Sequence, residues 1–220
     1  MGHVLRVGVL LAAWAALTGI LIIAGTGVVH SSTVGAFDRH LTSLVVAHRT
    51  PALNTAMKAI TWLGSWVALV TTAVLMVVLA VRGRLVWLAV VLAVAAWAGE
   101  ASAVALAKHV VQRERPPKNI WLKSAHGWSW PSGHTATAVL VFAVLAIVLT
   151  QVYSSRLSTV LSWIAAVATM AAVGFSRVEL GVHWTTDVLA SFALVSIWLL
   201  VIVRLFADYL REAQPRDARS

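Results

Sequence analysis

Residues 85–116 read LVWLAVVLAVAAWAGEASAVALAKHVVQRERP. From Leu85 to Ala107 the run carries one charge, Glu100. At 1.5 Å per residue it is long enough to cross a hydrocarbon core of about 30 Å. It then meets Lys108, and Arg113, Glu114, Arg115 and Pro116 follow at once. This predicts a membrane helix whose end collects cations. A charge at the bilayer centre costs a few kcal/mol or more, so charges at such a helix end point to function by default.

The same length test, applied outward, finds five more apolar runs at about 7–29, 57–81, 134–152, 158–175 and 184–206. The expected fold is therefore all-α: residues 1–220 form a single polytopic bundle of six transmembrane helices. Arg82-Gly83-Arg84 makes a tight loop, residues 151–156 separate the fourth and fifth spans, and the tail from Arg204 onward is polar. The first run exceeds a signal-peptide core of about 7–15 residues and lacks a cleavage pattern, so it reads as a retained anchor.

Apolar residues make up 60% of the chain and mean hydropathy is +0.87, beyond what a soluble globule needs. Charged residues are only 11%, yet the formal net charge is +9. In a soluble protein that excess would suggest nucleic acid. Here the cations sit in short loops between apolar runs, so the partners implied are a membrane surface and an anionic substrate. The absence of cysteine excludes disulfides and thiolate chemistry.

Residues 30–56 are too polar to span. Phe37, Leu41, Leu44, Val45 and His48 recur at helical spacing with Asp38, Arg39 and His40 between them, which predicts an interfacial amphipathic helix ending before Pro51. The loop from about 109 to 133 is the longest polar connection, and a loop of that length carries function or disorder. Its Arg113, Lys118, Lys123 and His126 read as solvated charges, with a second phosphate or head group as the alternative use. Trp121, Trp128 and Trp130 are expected at the lipid interface. Glu100 either hydrogen-bonds within the bundle or tunes the charges ahead of it.

With six spans, the loop between the third and fourth lies on the same side as the loop between the fifth and sixth. Setting aside Lys108, Arg115 and Arg177 as chemistry, loop cations number eight on the terminal side against six on the other. Arg82 and Arg84 sit where positive charge is most informative, so the termini are placed in the cytoplasm and the polar clusters outside.

Three clusters meet on that face. His183 and Asp187, four residues apart, share a helix face, so the carboxylate can accept the Nδ1–H hydrogen bond, fixing the tautomer and leaving the Nε2 lone pair to attack. Pro131-Ser132-Gly133-His134 reads as a turn opening a helix. Ser132 caps it or presents its hydroxyl, Gly133 lets a backbone N–H approach an anion, and His134 is placed to protonate a leaving oxygen. Lys108 and Arg115, with Arg177 upstream of His183, supply a point charge and two forks suited to phosphate oxygens.

Lys108-x6-Arg115-Pro116, Pro131-Ser132-Gly133-His134 and Ser176-Arg177-x5-His183-x3-Asp187 together resemble the tripartite signature of the type 2 phosphatidic acid phosphatase family. The resemblance covers residues 108–187 and suits the six-helix layout. It implies an integral-membrane lipid phosphatase: His183 the nucleophile forming a phosphohistidine, Asp187 its orienting carboxylate, His134 the acid and then the base. Lys108, Arg115, Ser132, Gly133 and Arg177 would hold the phosphoryl oxygens, with no metal and no cofactor. The substrate implied is a lipid phosphate or diphosphate, undecaprenyl diphosphate first and phosphatidic acid or phosphatidylglycerol phosphate next. A lipid phosphotransferase using the same histidine, or a head-group binding or transport protein, is the alternative. The motifs are silent on oligomeric state.

Overall fold

Ser and Thr residues write the starts of the helices. In the computed structural model, which describes residues 2–153 and 155–213, eight α-helices follow one another. They are α1 (Gly2–His30), α2 (Ser32–Ala47), α3 (Pro51–Ile60), α4 (Trp66–Val81), α5 (Trp87–Val111), α6 (Gly133–Val152), α7 (Arg156–Glu179) and α8 (Thr185–Ala213). The hydroxyls of Ser31, Thr50, Ser65 and Ser155 accept from backbone N–H groups in the first turns of α2, α3, α4 and α7. Such caps are worth about 1 kcal/mol each. Pro51 sits at the first turn of α3, where its missing N–H is no loss. The tail beyond Ala213, with Arg216 and Arg219, lies outside the described residues.

α6 is the hub: it packs against α4, α5, α7 and α8. Small residues make this possible, since Ala136, Ala138, Ala143 and Ala146 face inward and let neighbouring backbones approach. Large apolar side chains such as Trp66, Val74, Leu161 and Ile164 point outward instead, the distribution a lipid solvent selects. Gly99 on α5 lies under the Trp198 indole of α8, whose Nε1 donates to the Ala96 carbonyl at 2.7 Å.

Among the described residues, five helices are long and apolar enough to cross a membrane, and six if α3 and α4 count together as one bent span. The continuous helix expected over 57–81 is therefore corrected. A one-turn 3-10 helix, Thr61–Gly64, and Ser65 interrupt it, and the two parts bend by 47°. The apolar run hid the break because only Gly64 and Ser65 mark it. α4 alone, at 16 residues, spans about 24 Å and falls short of the hydrocarbon core. The bend has a structural use: Gly64 lies against the His134 carbonyl, and Thr61 reaches Arg177.

The expected interfacial amphipathic helix is present as α2. Its buried residues are Asp38 and Thr42, while Phe37 and Leu44 are nearly half exposed. Asp38 is held inside the protein by Arg113 and Thr186, and the apolar side is free for lipid.

A Cβ at Gly64 would stand 2.4 Å from the His134 carbonyl oxygen and 2.8 Å from Val173. Backbone cannot step aside cheaply, so Gly64→Ala is expected to destabilise by about 1–3 kcal/mol. Gly27→Ala, with nothing within 4 Å, is the control and should be neutral or slightly stabilising. Thermal unfolding midpoints in detergent compare the two, and an unchanged midpoint for Gly64→Ala would contradict this packing.

Candidate active site

The ends of four helices converge. Lys108 and Arg177 lie in the last turns of α5 and α7, Ser132 stands at the N-cap of α6, and Asp187 is in the first turn of α8. Backbone bonds stitch these ends together. The Ser132 N–H donates to the Asp187 carbonyl at 3.2 Å, and the Ser191 hydroxyl donates to the Ser132 carbonyl at 2.9 Å. The second and third sequence clusters thus form one connected unit.

His183 is not on a helix with Asp187, as its spacing suggested. It sits in the turn that opens at Gly181 (φ +73), ahead of α8. A Cβ at Gly181 would stand 2.5 Å from the Ile120 carbonyl, so both space and backbone conformation require glycine there. The pairing survives: His183 Nδ1 is 3.3 Å from Asp187 Oδ2. That carboxylate also accepts from the Trp184 N–H at 2.9 Å, as an acidic residue three positions into a helix does for its cap. The Ser129 hydroxyl donates to the same oxygen and lies 3.5 Å from His183 Nδ1. Ser129 is fully buried and did not stand out in the sequence, where it is one polar residue between two tryptophans.

On the other side of the ring, Arg115 places an N–H 2.9 Å from His183 Nε2. This bond assigns the lone pair to Nε2 and the proton to Nδ1, facing Asp187. The remaining Arg115 donors go to carbonyls of His126, Gly127, Trp128 and Val182. Arg115 therefore shapes the loop as well as charging it. Lys108 donates to the Trp128 carbonyl at 2.7 Å. Arg177, 2% exposed, gives one N–H to Thr61 at 2.6 Å, and its Nε has no partner among the described residues. A buried guanidinium with an idle donor is costly unless an anion completes it.

Among the described residues, Lys108, Arg115 and Arg177 form no ion pair with a carboxylate, whereas Arg113 forms two. Arg113 is therefore corrected from a solvated loop charge to a buried one, held by Asp38 and Asp187 at 2.6 Å each. The available signal was Asp38 and Thr42 spaced i,i+4 on a helix that offers Phe37 and Leu44 to lipid. The αL cap at Gln112 (φ +48) turns the chain out of α5 just before Arg113.

His134, in the first turn of α6, makes no side-chain hydrogen bond among the described residues and lies within electrostatic reach of Arg177, His183, Lys123 and Arg115. Gly133 has open space where a Cβ would stand. Ser132 is buried, and its hydroxyl accepts from Thr135 at 3.0 Å without capping α6. Lys123 packs its ammonium 4.8 Å from the centre of the Trp62 ring, and burial and then Arg177 lower its pKa. It too leaves the class of plain solvated charges. Lys118 and His126 line a surface cavity beside Arg115.

Of the three loop tryptophans expected at the lipid interface, Trp128 is exposed at 40%. Trp121 donates to the Pro116 carbonyl at 2.8 Å. Trp130, 4% exposed, packs with Ile22, Ala107 and Val111 beneath Gly25 of α1. Glu100 is buried in α5 and makes no side-chain hydrogen bond among the described residues. No group of three or more His, Asp or Glu among those residues is placed to hold a metal ion.

A sequence model of the PAP2 superfamily matches residues 84–211, more than half of the chain. The chain is 29% identical over 185 residues to phosphatidylglycerophosphatase B of Bacillus subtilis (strain 168), covering 83% of this chain and 89% of that one. The fold is similar to the crystal structure of a transmembrane PAP2-type phosphatidylglycerolphosphate phosphatase from Bacillus subtilis. That match has a TM-score of 0.79 and 25% identity over 92% of this chain and 98% of the other. Aquifex aeolicus LpxE is similar in fold, with a TM-score of 0.60 and 20% identity over 75% of this chain and 93% of that one.

Burial lowers the His183 pKa to about 3, against the opposing pull of Asp187. The unfolded chain takes up this proton near pH 6.5, so between the two values it binds more protons than the folded one. Stability should therefore fall as pH drops from about 6.5 toward 3, by on the order of 1–2 kcal/mol at pH 5 from this group. His183→Gln should flatten that part of the profile. An equal loss of unfolding midpoint between pH 7 and pH 5 in wild type and variant would rule this out.

Proposed function

Since the chain belongs to the PAP2 superfamily, we propose that this membrane lipid phosphatase cleaves the terminal phosphate through a phosphohistidine on His183. The observation that carries the reading is the oriented imidazole. Nδ1 faces Asp187 at 3.3 Å, and the Nε2 lone pair accepts from Arg115, an arginine that no carboxylate claims among the described residues.

In this mechanism the phosphoryl group enters beside Nε2, and its oxygens take donors from Arg115, Arg177 and Lys108. Arg177 Nε is already unpartnered and Gly133 leaves room for a close backbone approach. Nε2 attacks phosphorus, the N–P bond forms and the bond to the lipid oxygen breaks. His134 gives its proton to that oxygen, and Asp187 stabilises the ring cation. Water then attacks the phosphohistidine and yields a proton to His134, and inorganic phosphate leaves as the N–P bond breaks. The chain's own cations carry the charge that builds on the phosphoryl oxygens.

A site at helix ends suits a substrate whose tail stays in the bilayer. The relatives reorder the candidate lipids: phosphatidylglycerol phosphate now comes first, with undecaprenyl diphosphate and phosphatidic acid after it. The excess of loop cations on the terminal side, Arg82 and Arg84 above all, supports a site on the outer face.

Purified protein in detergent, given each of these lipids with a chelator present, should release inorganic phosphate from at least one. His183→Ala should lower kcat by about 10³-fold or more. Acid-labile, base-stable phosphate should be trapped on the wild type and be absent from His183→Ala. Release by His183→Ala at the wild-type rate would sink the nucleophile assignment. Transfer to an acceptor without free phosphate would replace hydrolysis with phosphotransfer.

A further inference from the structure

Arg113 creates a charge problem next to the reacting histidine. It donates to Asp187 Oδ1 at 2.6 Å, and alone it would cancel the carboxylate on which His183 depends. Asp38, from α2, answers it. Its Oδ2 accepts from Arg113 at 2.6 Å, and its Oδ1 accepts from the Thr186 N–H at 3.0 Å. The Thr186 hydroxyl closes the set, accepting from Arg113 at 2.7 Å and donating to Asp38 at 2.5 Å. Arg113 is 6% exposed, Asp38 1% and Asp187 0%, so water screens this cluster weakly. Two carboxylates against one guanidinium leave a single net negative charge.

The groups around His183 make that charge decisive. Asp187 and Ser129 face Nδ1, and Arg115 faces Nε2. Arg177 and the His134 ring lie within electrostatic reach. Every cation there opposes positive charge on the imidazole, and Asp187 alone favours it. Yet positive charge is what the ring acquires when Nε2 bonds to phosphorus.

We propose that Asp38 is a positioning residue for the reaction: by neutralising Arg113 it leaves the Asp187 charge available to the His183 imidazolium. This rests on His183 being the nucleophile. Asp38 touches neither substrate nor the reacting atoms, and acts through Arg113 and Asp187. Its effect falls on turnover rather than on lipid binding, because the phosphate-holding cations are a separate set.

The test compares Asp38→Asn, Arg113→Gln, the double variant and Asp38→Glu, each checked for a monodisperse folded state in detergent. Asp38→Asn should lower kcat by about 10–100-fold, the scale seen for carboxylates one contact away from a metal-bound histidine, with KM nearly unchanged. Removing Arg113 as well restores the net charge of the cluster, so the double variant should turn over several-fold faster than Asp38→Asn. Asp38→Glu, which keeps the charge, should stay within a few-fold of wild type. Arg113→Gln should raise the pH at which the His183 ring titrates by about one unit, read by NMR on histidine-labelled protein without any substrate.

A folded Asp38→Asn with wild-type kcat, or a double variant no better than Asp38→Asn, would reduce Asp38 to a strut. Should Asp38→Asn fail to fold, the Arg113→Gln titration decides: an unmoved or lowered His183 titration overturns the proposal. Should wild-type protein release no phosphate from any lipid, the functional reading fails separately, and the titration still tests the charge coupling.

Discussion

A guanidinium removed from water needs an anion beside it, and this requirement organises the whole polar end of the bundle. Arg113 meets it with Asp38 and Asp187, a buried chain linking α2, the end of α5 and the start of α8. Removing one partner of such a pair costs about 3–5 kcal/mol, so the three elements are held as one piece. Arg115 and Arg177 meet the requirement differently. They lean on carbonyls and a threonine hydroxyl, and no carboxylate pairs with them among the described residues. The division of the cations into paired and unpaired sets is what separates the scaffold from the proposed site.

The scaffold around them serves this division. The break at Gly64–Ser65 interrupts a membrane span, and in return Thr61 reaches Arg177 and Gly64 lets the chain pass the start of α6. Gly181 allows the turn that presents His183, and Arg49 secures the end of α7 by donating to the Ile120 and Glu179 carbonyls. Trp130, buried against Gly25, fixes the loop that carries Ser129 to Asp187. Below this layer the helices present alanines inward and large apolar side chains outward. That arrangement asks little of the site except that its helix ends stay together.

Much of this was legible in the chain. Apolar runs of spanning length foretold the helices, because a bilayer admits few other ways to satisfy backbone groups. Their number foretold that Lys108, Arg115, His134, Arg177, His183 and Asp187 would gather at one end. The misread positions share a physical cause. Trp130 and Arg113 have the chemistry of interface and solvent residues, and only their packed neighbours reverse that preference. The span over 57–81 is apolar enough to be one helix, and a local glycine and serine outweigh its hydropathy.

By itself, then, the sequence determined the solvent, the apolar runs of spanning length and which cations and histidines lie near their ends. These follow from side-chain chemistry and from period and length along the chain. The tertiary structure alone decided which cations are spent on carboxylates and which are free, that Ser129 joins His183 on Asp187, and that Asp38 stands behind Arg113. Those are pairings across 58 to 75 residues of separation, set by the distances between packed helices. No local pattern carries that information, because a charge in a low dielectric is governed by what stands beside it in space.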